Sequence, residues 1–300
     1  MLQGIPTIGK KASIFSEGRI KKTGFVEGRN LMATVLRGEH SENRLPAMLD
    51  TIGKKGLLPI SFLLLWHWIT TSGRVKQILL PSPENVFLAL IETLSSGELV
   101  HHLETSLVRV MEGFALAAFL GIGLGMALGL SPLLNQMAEG VIQLLRPIPP
   151  IAWLPLAILW FGIEEGSKVF IITLGAFFPI FLNVLQGIKQ TNENVVEVAR
   201  VFKVPWPKFI LKVIVPGSMP FVVAGLRIGL GYAWMCVVAA ELSGGMSGIG
   251  YMLMDSRALA RTDRVLAGML AIGAVGKSMD YLLQWFERKI IRWRRFYNGI

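Results

Sequence analysis

Phe114-Ala-Leu-Ala-Ala-Phe-Leu-Gly-Ile-Gly-Leu-Gly-Met-Ala-Leu-Gly-Leu130 runs from end to end without a charged side chain. Extended back to Ser106, it exceeds the roughly 20 residues an α-helix needs to cross the hydrocarbon of a bilayer. Gly121, Gly123, Gly125 and Gly129 imitate a dinucleotide-binding fingerprint. Within an apolar span they are better read as small residues that let helix backbones approach closely. Such runs recur along the 300 residues, which are 52% apolar and 17% charged with a mean hydropathy of +0.54. A soluble domain carries about 25% charged residues. The composition excludes a disordered chain, a collagen-like chain and a disulfide scaffold, and the lone Cys236 gives no redox signal. A multi-spanning, all-α membrane protein is expected, because only helices or closed barrels satisfy their backbone in lipid.

Six spans are predicted, at about 57–71, 106–130, 138–161, 168–187, 217–243 and 264–285. Residues 1–56 read as a poorly ordered basic tail, 57–287 as the membrane domain and 288–300 as a basic C-terminus. Residues 73–104 read as an external loop with one surface helix, broken by Pro81 and Pro83. Lys and Arg concentrate in 1–56, 188–215 and 286–300, whereas 72–105 and 162–167 carry Glu84, Glu92, Glu98, Glu104, Glu164 and Glu165. By the positive-inside rule both termini are cytoplasmic. The net charge of +10 is thereby assigned to anionic membrane lipid, not to nucleic acid.

Two motifs mislead. Ala271-Ile-Gly-Ala-Val-Gly-Lys-Ser278 fits a relaxed phosphate loop, and Leu242-Ser-Gly-Gly245 imitates an ATPase signature. A phosphate loop must join a strand to a helix, and here the run lies in an apolar span. Adjacent His101 and His102 point about 100° apart on a helix, a poor metal pair. No nucleophile–base–orienter set stands out, so the chain is read as no enzyme.

The polar segment 188–216 interrupts the spans: Ile-Lys-Gln-Thr-Asn-Glu-Asn-Val-Val-Glu-Val-Ala-Arg-Val-Phe-Lys-Val-Pro-Trp-Pro-Lys-Phe-Ile-Leu-Lys-Val-Ile-Val-Pro. A short helix fits 193–202, Pro205 and Pro207 force a turn, and a second helix fits 206–214. Physical reading alone leaves an interfacial helix and a partner-docking helix both open.

The segment resembles the EAA loop of ABC importer permeases: Glu-Ala-Ala, three residues, Gly, nine residues, then Ile-x-Leu-Pro. The matching positions are Glu197, Val198, Ala199, then Lys203 where the pattern has Gly, then Val213, Val215 and Pro216. Lys203 is a departure, and Pro205 is expected to supply the bend that the glycine eases. Arg146-Pro-Ile-Pro-Pro-Ile-Ala-Trp-Leu-Pro-Leu-Ala-Ile-Leu-Trp-Phe-Gly-Ile163, Gly225-Leu-Arg-Ile-Gly-Leu-Gly231, Val238-Ala-Ala-Glu-Leu242, Gly248-Ile-Gly-Tyr251 and Arg261-Thr-Asp263 are similar to the sulfonate, taurine and nitrate group.

That resemblance implies a type I permease architecture of six transmembrane helices with a cytoplasmic coupling helix-turn-helix, in a bacterial inner membrane. It implies a second copy of this chain, two cytoplasmic ABC ATPase subunits carrying ATP and Mg, and an extracytoplasmic solute-binding protein. Aliphatic sulfonate or taurine is the implied cargo, with nitrate or bicarbonate as the alternative. Glu197, Ala199, Arg200, Lys203 and Pro216 are then the residues coupling to the ATPase. Ionisable residues inside spans invite functional readings because burial in lipid is unfavourable. Arg227, Trp234 and Glu241 are candidates for the translocation path or a gate. Arg227 either lines the path of an anion or pairs with a neighbouring helix's carbonyls; Glu241 meets the binding protein or a gate. Arg109/Glu112 and Lys277/Asp280 are expected to pair within their own helices. An ion-coupled secondary transporter would instead show inverted repeats and mid-membrane carboxylates.

Overall fold

Serine–proline pairs set the helix starts. Ser82 and Ser131 each turn their hydroxyl onto a backbone N–H of the following first turn, at Asn85 and Leu134. Pro83 and Pro132 occupy the first helical position, where a missing N–H costs nothing. The computed structural model describes the backbone of residues 44–191 and 193–290. Its helices are α1 (Arg44–Thr71), α2 (Pro83–Ser95), α3 (Glu98–Leu130), α4 (Pro132–Leu145), α5 (Leu154–Phe161) and α6 (Glu165–Lys189). They continue with α7 (Glu193–Val201), α8 (Trp206–Phe209), α9 (Val215–Gly244), α10 (Ile249–Ala258) and α11 (Thr262–Ile290). A 3-10 turn, Pro150–Trp153, precedes α5, and a π-turn, Ile210–Ile214, joins α8 to α9. No strand occurs among the described residues.

Contacts divide the chain between Leu65 and Trp66. In the first unit the described part is helical from Arg44, so residues 44–56, expected as tail, are helix. Residues 1–43 and 291–300 lie outside those described, and the readings placed on them go with them. In the second unit α6 is the centre, packed along its length by α3 and α9. Buried Val110, Ala117, Ile171, Ile172, Ile180, Val184, Ala233 and Val237 form that core. The opposite faces of the same helices expose Leu116, Phe119, Leu124 and Met235, as expected where lipid or another subunit replaces water.

Glycine sets the α3–α6 approach. A Cβ built on Gly125 would lie 2.8 Å from Val184 Cβ and 3.1 Å from the Phe181 carbonyl oxygen, whereas Gly123 has nothing within 4 Å. Gly113, Gly121 and Gly129 likewise face Ile172, Ile180 and Ile188. The close-packing reading therefore holds for Gly121, Gly125 and Gly129 but not for Gly123. Because one obstructing atom is backbone, Gly125→Ala should destabilise by about 1–3 kcal/mol through overpacking, while Gly123→Ala should not. Thermal unfolding of the two purified variants checks this; equal midpoints would refute it.

Four helical stretches are long and apolar enough to cross a membrane: α3, α6, the continuous Trp206–Gly244 and α11. A fifth crossing requires counting Pro132–Leu145 and Pro150–Phe161 together, although they are bent 86° from one another. The expected straight span over 138–161 is thus a broken one. Pro147, Pro149 and Pro150 explain it, since three missing N–H groups forbid a continuous helical ladder. The apolar helix Leu57–Thr71 is shorter. Helix α3 also begins at Glu98, which takes 98–104 out of the loop assigned to them, and α2 supplies a surface helix there.

Candidate functional site

Two constellations sit at opposite ends of α6. Beyond its C-terminal end, α7 closes on Lys203, whose φ of 47° lies in the left-handed region. The Val204 amide donates to the Ala199 carbonyl at 3.1 Å, the six-to-one bond of a Schellman ending. Lys203 thus occupies the position glycine fills most easily. The bend is made by Lys203 itself, which corrects the expectation that Pro205 substitutes for the glycine; Pro205 instead caps α8 with an extended backbone. Lys203→Gly should stabilise this turn, because relief of a left-handed strain of about 1–2 kcal/mol outweighs the roughly 0.5–1 kcal/mol of added chain entropy. Slower amide hydrogen exchange at 199–204 would register it, and unchanged or faster exchange would refute it.

Helix α7 packs Val196 and Ala199 inward against the core. Val195, Val198 and Phe202 form an outward stripe, Phe202 being 77% exposed, with exposed Glu197 beside it. The Arg200 side chain lies outside those described. Beneath α7 lies a cavity of about 550 Å³, walled by Val196, Ala199, Lys203, Val204 and Phe209 with Ile188. Helix α8 then runs without interruption into α9 as Trp206–Gly244. Pro216 lacks an N–H and would clash with the carbonyl four residues back in a regular helix. The π-turn at Ile210–Ile214, directly before it, opens the helix where that strain falls. π-turns are rare and concentrate at functional positions.

At the other end of α6, Arg109 is 2% exposed with every N–H donor engaged. Nε and Nη2 donate to the two oxygens of Glu165, the latter at 2.6 Å. Nη1 donates to Glu241 Oε1 at 2.7 Å and to the Ser247 carbonyl at 2.8 Å; Nη2 also reaches Ser247 Oγ at 2.8 Å. Glu241 is 1% exposed and further accepts from Ser106 Oγ and the Gly250 amide. One expectation falls here, and one of two readings of Glu241 loses its support. Arg109 does not pair with Glu112, because two carboxylates from other helices offer more bonds than an i,i+3 neighbour. Glu241 does not face outward to a partner; it is buried between α3, α9 and α10. Sequence reading missed Ser106, Ser247 and Glu165 as members, and the only signal was a charge set within each apolar run.

Arg227 meets carboxylates rather than carbonyls. Its Nη2 lies 3.0 Å from Asp280 Oδ1 and its Nη1 3.3 Å from Glu287 Oε2, linking α9 to α11. Lys277 and Asp280 do approach within their own helix, at 3.7 Å. Trp234 is buried and donates to Met279 Sδ at 3.0 Å. Outside the spans, Glu92 of α2 binds Arg264 at 2.6 Å and Arg261 at 3.0 Å. Hydrogen bonds from these arginines hold its carboxyl below the usual carboxylate range. A lowered pKa gives a contribution present above the unfolded value and lost as pH falls through the folded one, so this clamp is intact at neutral pH.

Among the described residues no group of three or more His, Cys, Asp and Glu is placed to hold a metal.

A family model described as "Binding-protein-dependent transport system inner membrane component" matches residues 103–292. A candidate aliphatic sulfonates transport permease of Bacillus subtilis, SsuC, is 41% identical over 81% of this chain and 88% of its own. The taurine transport system permease TauC of Escherichia coli is 34% identical over 77% and 86%. The bicarbonate transport system permease CmpB of Synechococcus elongatus is 34% identical over 79% and 90%.

Proposed function

The chain belongs to the binding-protein-dependent transport inner-membrane components, the permeases of ABC importers, and from that premise we propose that it carries a small organic anion inward under ATP drive. Aliphatic sulfonate or taurine is the proposed cargo. The observation that carries the choice is 41% identity to a sulfonate-type permease across four-fifths of the chain. Likeness to a bicarbonate permease keeps a second small oxyanion in view.

In this reading two copies form the path, an ATPase subunit docks on each α7–α8 elbow, and a solute-binding protein delivers cargo to the opposite face. ATP and Mg belong to the ATPases. Both termini are cytoplasmic, on the side where Lys189, Lys203, Lys208 and Lys212 gather. The apolar stripe of Val195, Val198 and Phe202, with Glu197 beside it, supports docking: a solvent-facing apolar stripe on a stiff helix is what a groove-shaped partner buries. Continuity of α8 with α9 supports force transmission, since a rigid helix moves as one body. Ala199 and Lys203 shape the elbow, Arg200 joins it on sequence grounds alone, and Pro216 with the π-turn sets the angle to the span. Arg227 and Trp234 tie α9 to α11, and Glu241 holds the far end of α9 to α3.

The test is reconstitution of the chain with its ATPase and binding protein in proteoliposomes. Uptake of ethanesulfonate or taurine is expected only with ATP and hydrolysis-competent ATPase. Uptake driven by an ion gradient without the ATPase would overturn the reading.

A further inference from the structure

The break between α4 and α5 poses a physical problem. Residues 146–150 leave the helical path where Arg146, Ile148 and Pro150 share a cavity wall with residues 174–186 of α6, yet Ile148 and Ile151 are 37% and 40% exposed. Non-helical backbone at membrane depth is tolerated only where protein covers it or where it lines a water-filled cavity. Here a cavity of about 350 Å³ does adjoin it, between the bend, α6 and α9. Phe178, Asn183 and Gln186 of α6, Tyr232 of α9 and Arg146 at the end of α4 share its wall. Phe178 and Tyr232 lie near the midpoints of their helices, whereas Asn183 and Gln186 lie toward the α7 elbow.

The chemistry of that wall is specific. Arg146 is exposed and makes no ion pair among the described residues. Arg109 and Arg227, by contrast, are already neutralised by carboxylates. No acidic side chain lines this cavity. A guanidinium presents a planar fork of donors that matches an oxyanion, and Tyr232 and Gln186 add neutral donors. Asn183 has its amide already committed, donating to the Pro179 carbonyl at 2.8 Å. Resting on the transport reading above, we propose that this cavity is the intramembrane station for the transported oxyanion, with Arg146 as the residue that receives its charge. The bend exists to expose Arg146 to that water-filled space. The aliphatic tail of the cargo lies against Phe178 and Ile228. Arg227, the deepest cation in the sequence, is left to hold α9 against α11.

Single cysteines at Tyr232 test this in the assembled transporter without relying on transport. An anionic methanethiosulfonate (sulfonatoethyl) and a cationic one (trimethylammonioethyl) are compared for their rates of modifying Tyr232→Cys, with buried Cys236 alone as the blank. The anionic reagent is expected to lead by roughly tenfold, as charge-lined clefts concentrate counter-ions. Adding Arg146→Gln should erase the lead and Arg146→Lys should keep it. If Tyr232→Cys does not assemble, Gln186→Cys serves at the same wall. No anionic preference, or one indifferent to Arg146→Gln, overturns the station. In uptake assays Arg146→Gln should raise KM for ethanesulfonate several-fold while ATPase co-purification is unchanged. A wild-type complex that fails to take up sulfonates would overturn the cargo assignment alone, since the labelling result still decides the cavity.

Discussion

Replacing Arg109 with methionine should lower stability by about 3–5 kcal/mol, because it strands a carboxylate in the interior. The loss follows from the bonds. Glu241 would keep Ser106 and the Gly250 amide but lose the one cation that pairs with it among the described residues, at 1% exposure. The same change unties α3 from the N-terminus of α6 and from the 245–248 turn. Glu165 is the internal control. Its side chain is 59% exposed, so water can solvate what remains of it, and although buried Lys168 also leans on it at 3.2 Å, Glu165→Gln should cost less than Arg109→Met. Adding Glu241→Gln to Arg109→Met should restore part of the loss, since the uncompensated charge is gone. Thermal unfolding of the purified protein separates the three. An Arg109→Met variant as stable as Glu165→Gln would mean the network does not hold these helices together.

Glu197→Arg should abolish coupling and leave the membrane domain intact. Glu197 is exposed beside an apolar stripe that no described residue covers, so its reversal breaks no ion pair with a described side chain. Against a docked ATPase, reversing a charge should weaken association by at least about 2 kcal/mol, roughly 30-fold. ATPase co-purification and ATP-driven uptake would fall together while the unfolding midpoint stays put. Retained co-purification with retained uptake would remove Glu197, and with it the elbow, from the coupling role. A fall in the unfolding midpoint would instead assign Glu197 to structure.

These two residues differ in how they announce themselves. Glu197 is legible locally: helix-forming residues, prolines at 205 and 207 and a polar break between apolar runs mark the elbow before any coordinates. The helices α3, α6, α9 and α11 are legible for the same reason. Transfer to lipid sums over neighbouring residues, so a long enough run of apolar side chains marks a span without help from the rest of the chain. Proline acts locally as well, and 147, 149 and 150 mark a break that hydropathy alone passed over.

Partner choice is not local. Arg109 has Glu112 one turn away and binds Glu165 and Glu241 instead; Arg227 finds Asp280 and Glu287 on another helix. Lys203 takes a left-handed backbone although its side chain disfavours it, because Ala199 and Val204 are held by the packed elbow. The amino-acid order alone therefore marked the four long apolar helices and where the elbow lies. Only tertiary packing decided which charges are satisfied and which remain free, because a buried ion selects the partners that complete its hydrogen bonds, however distant in sequence.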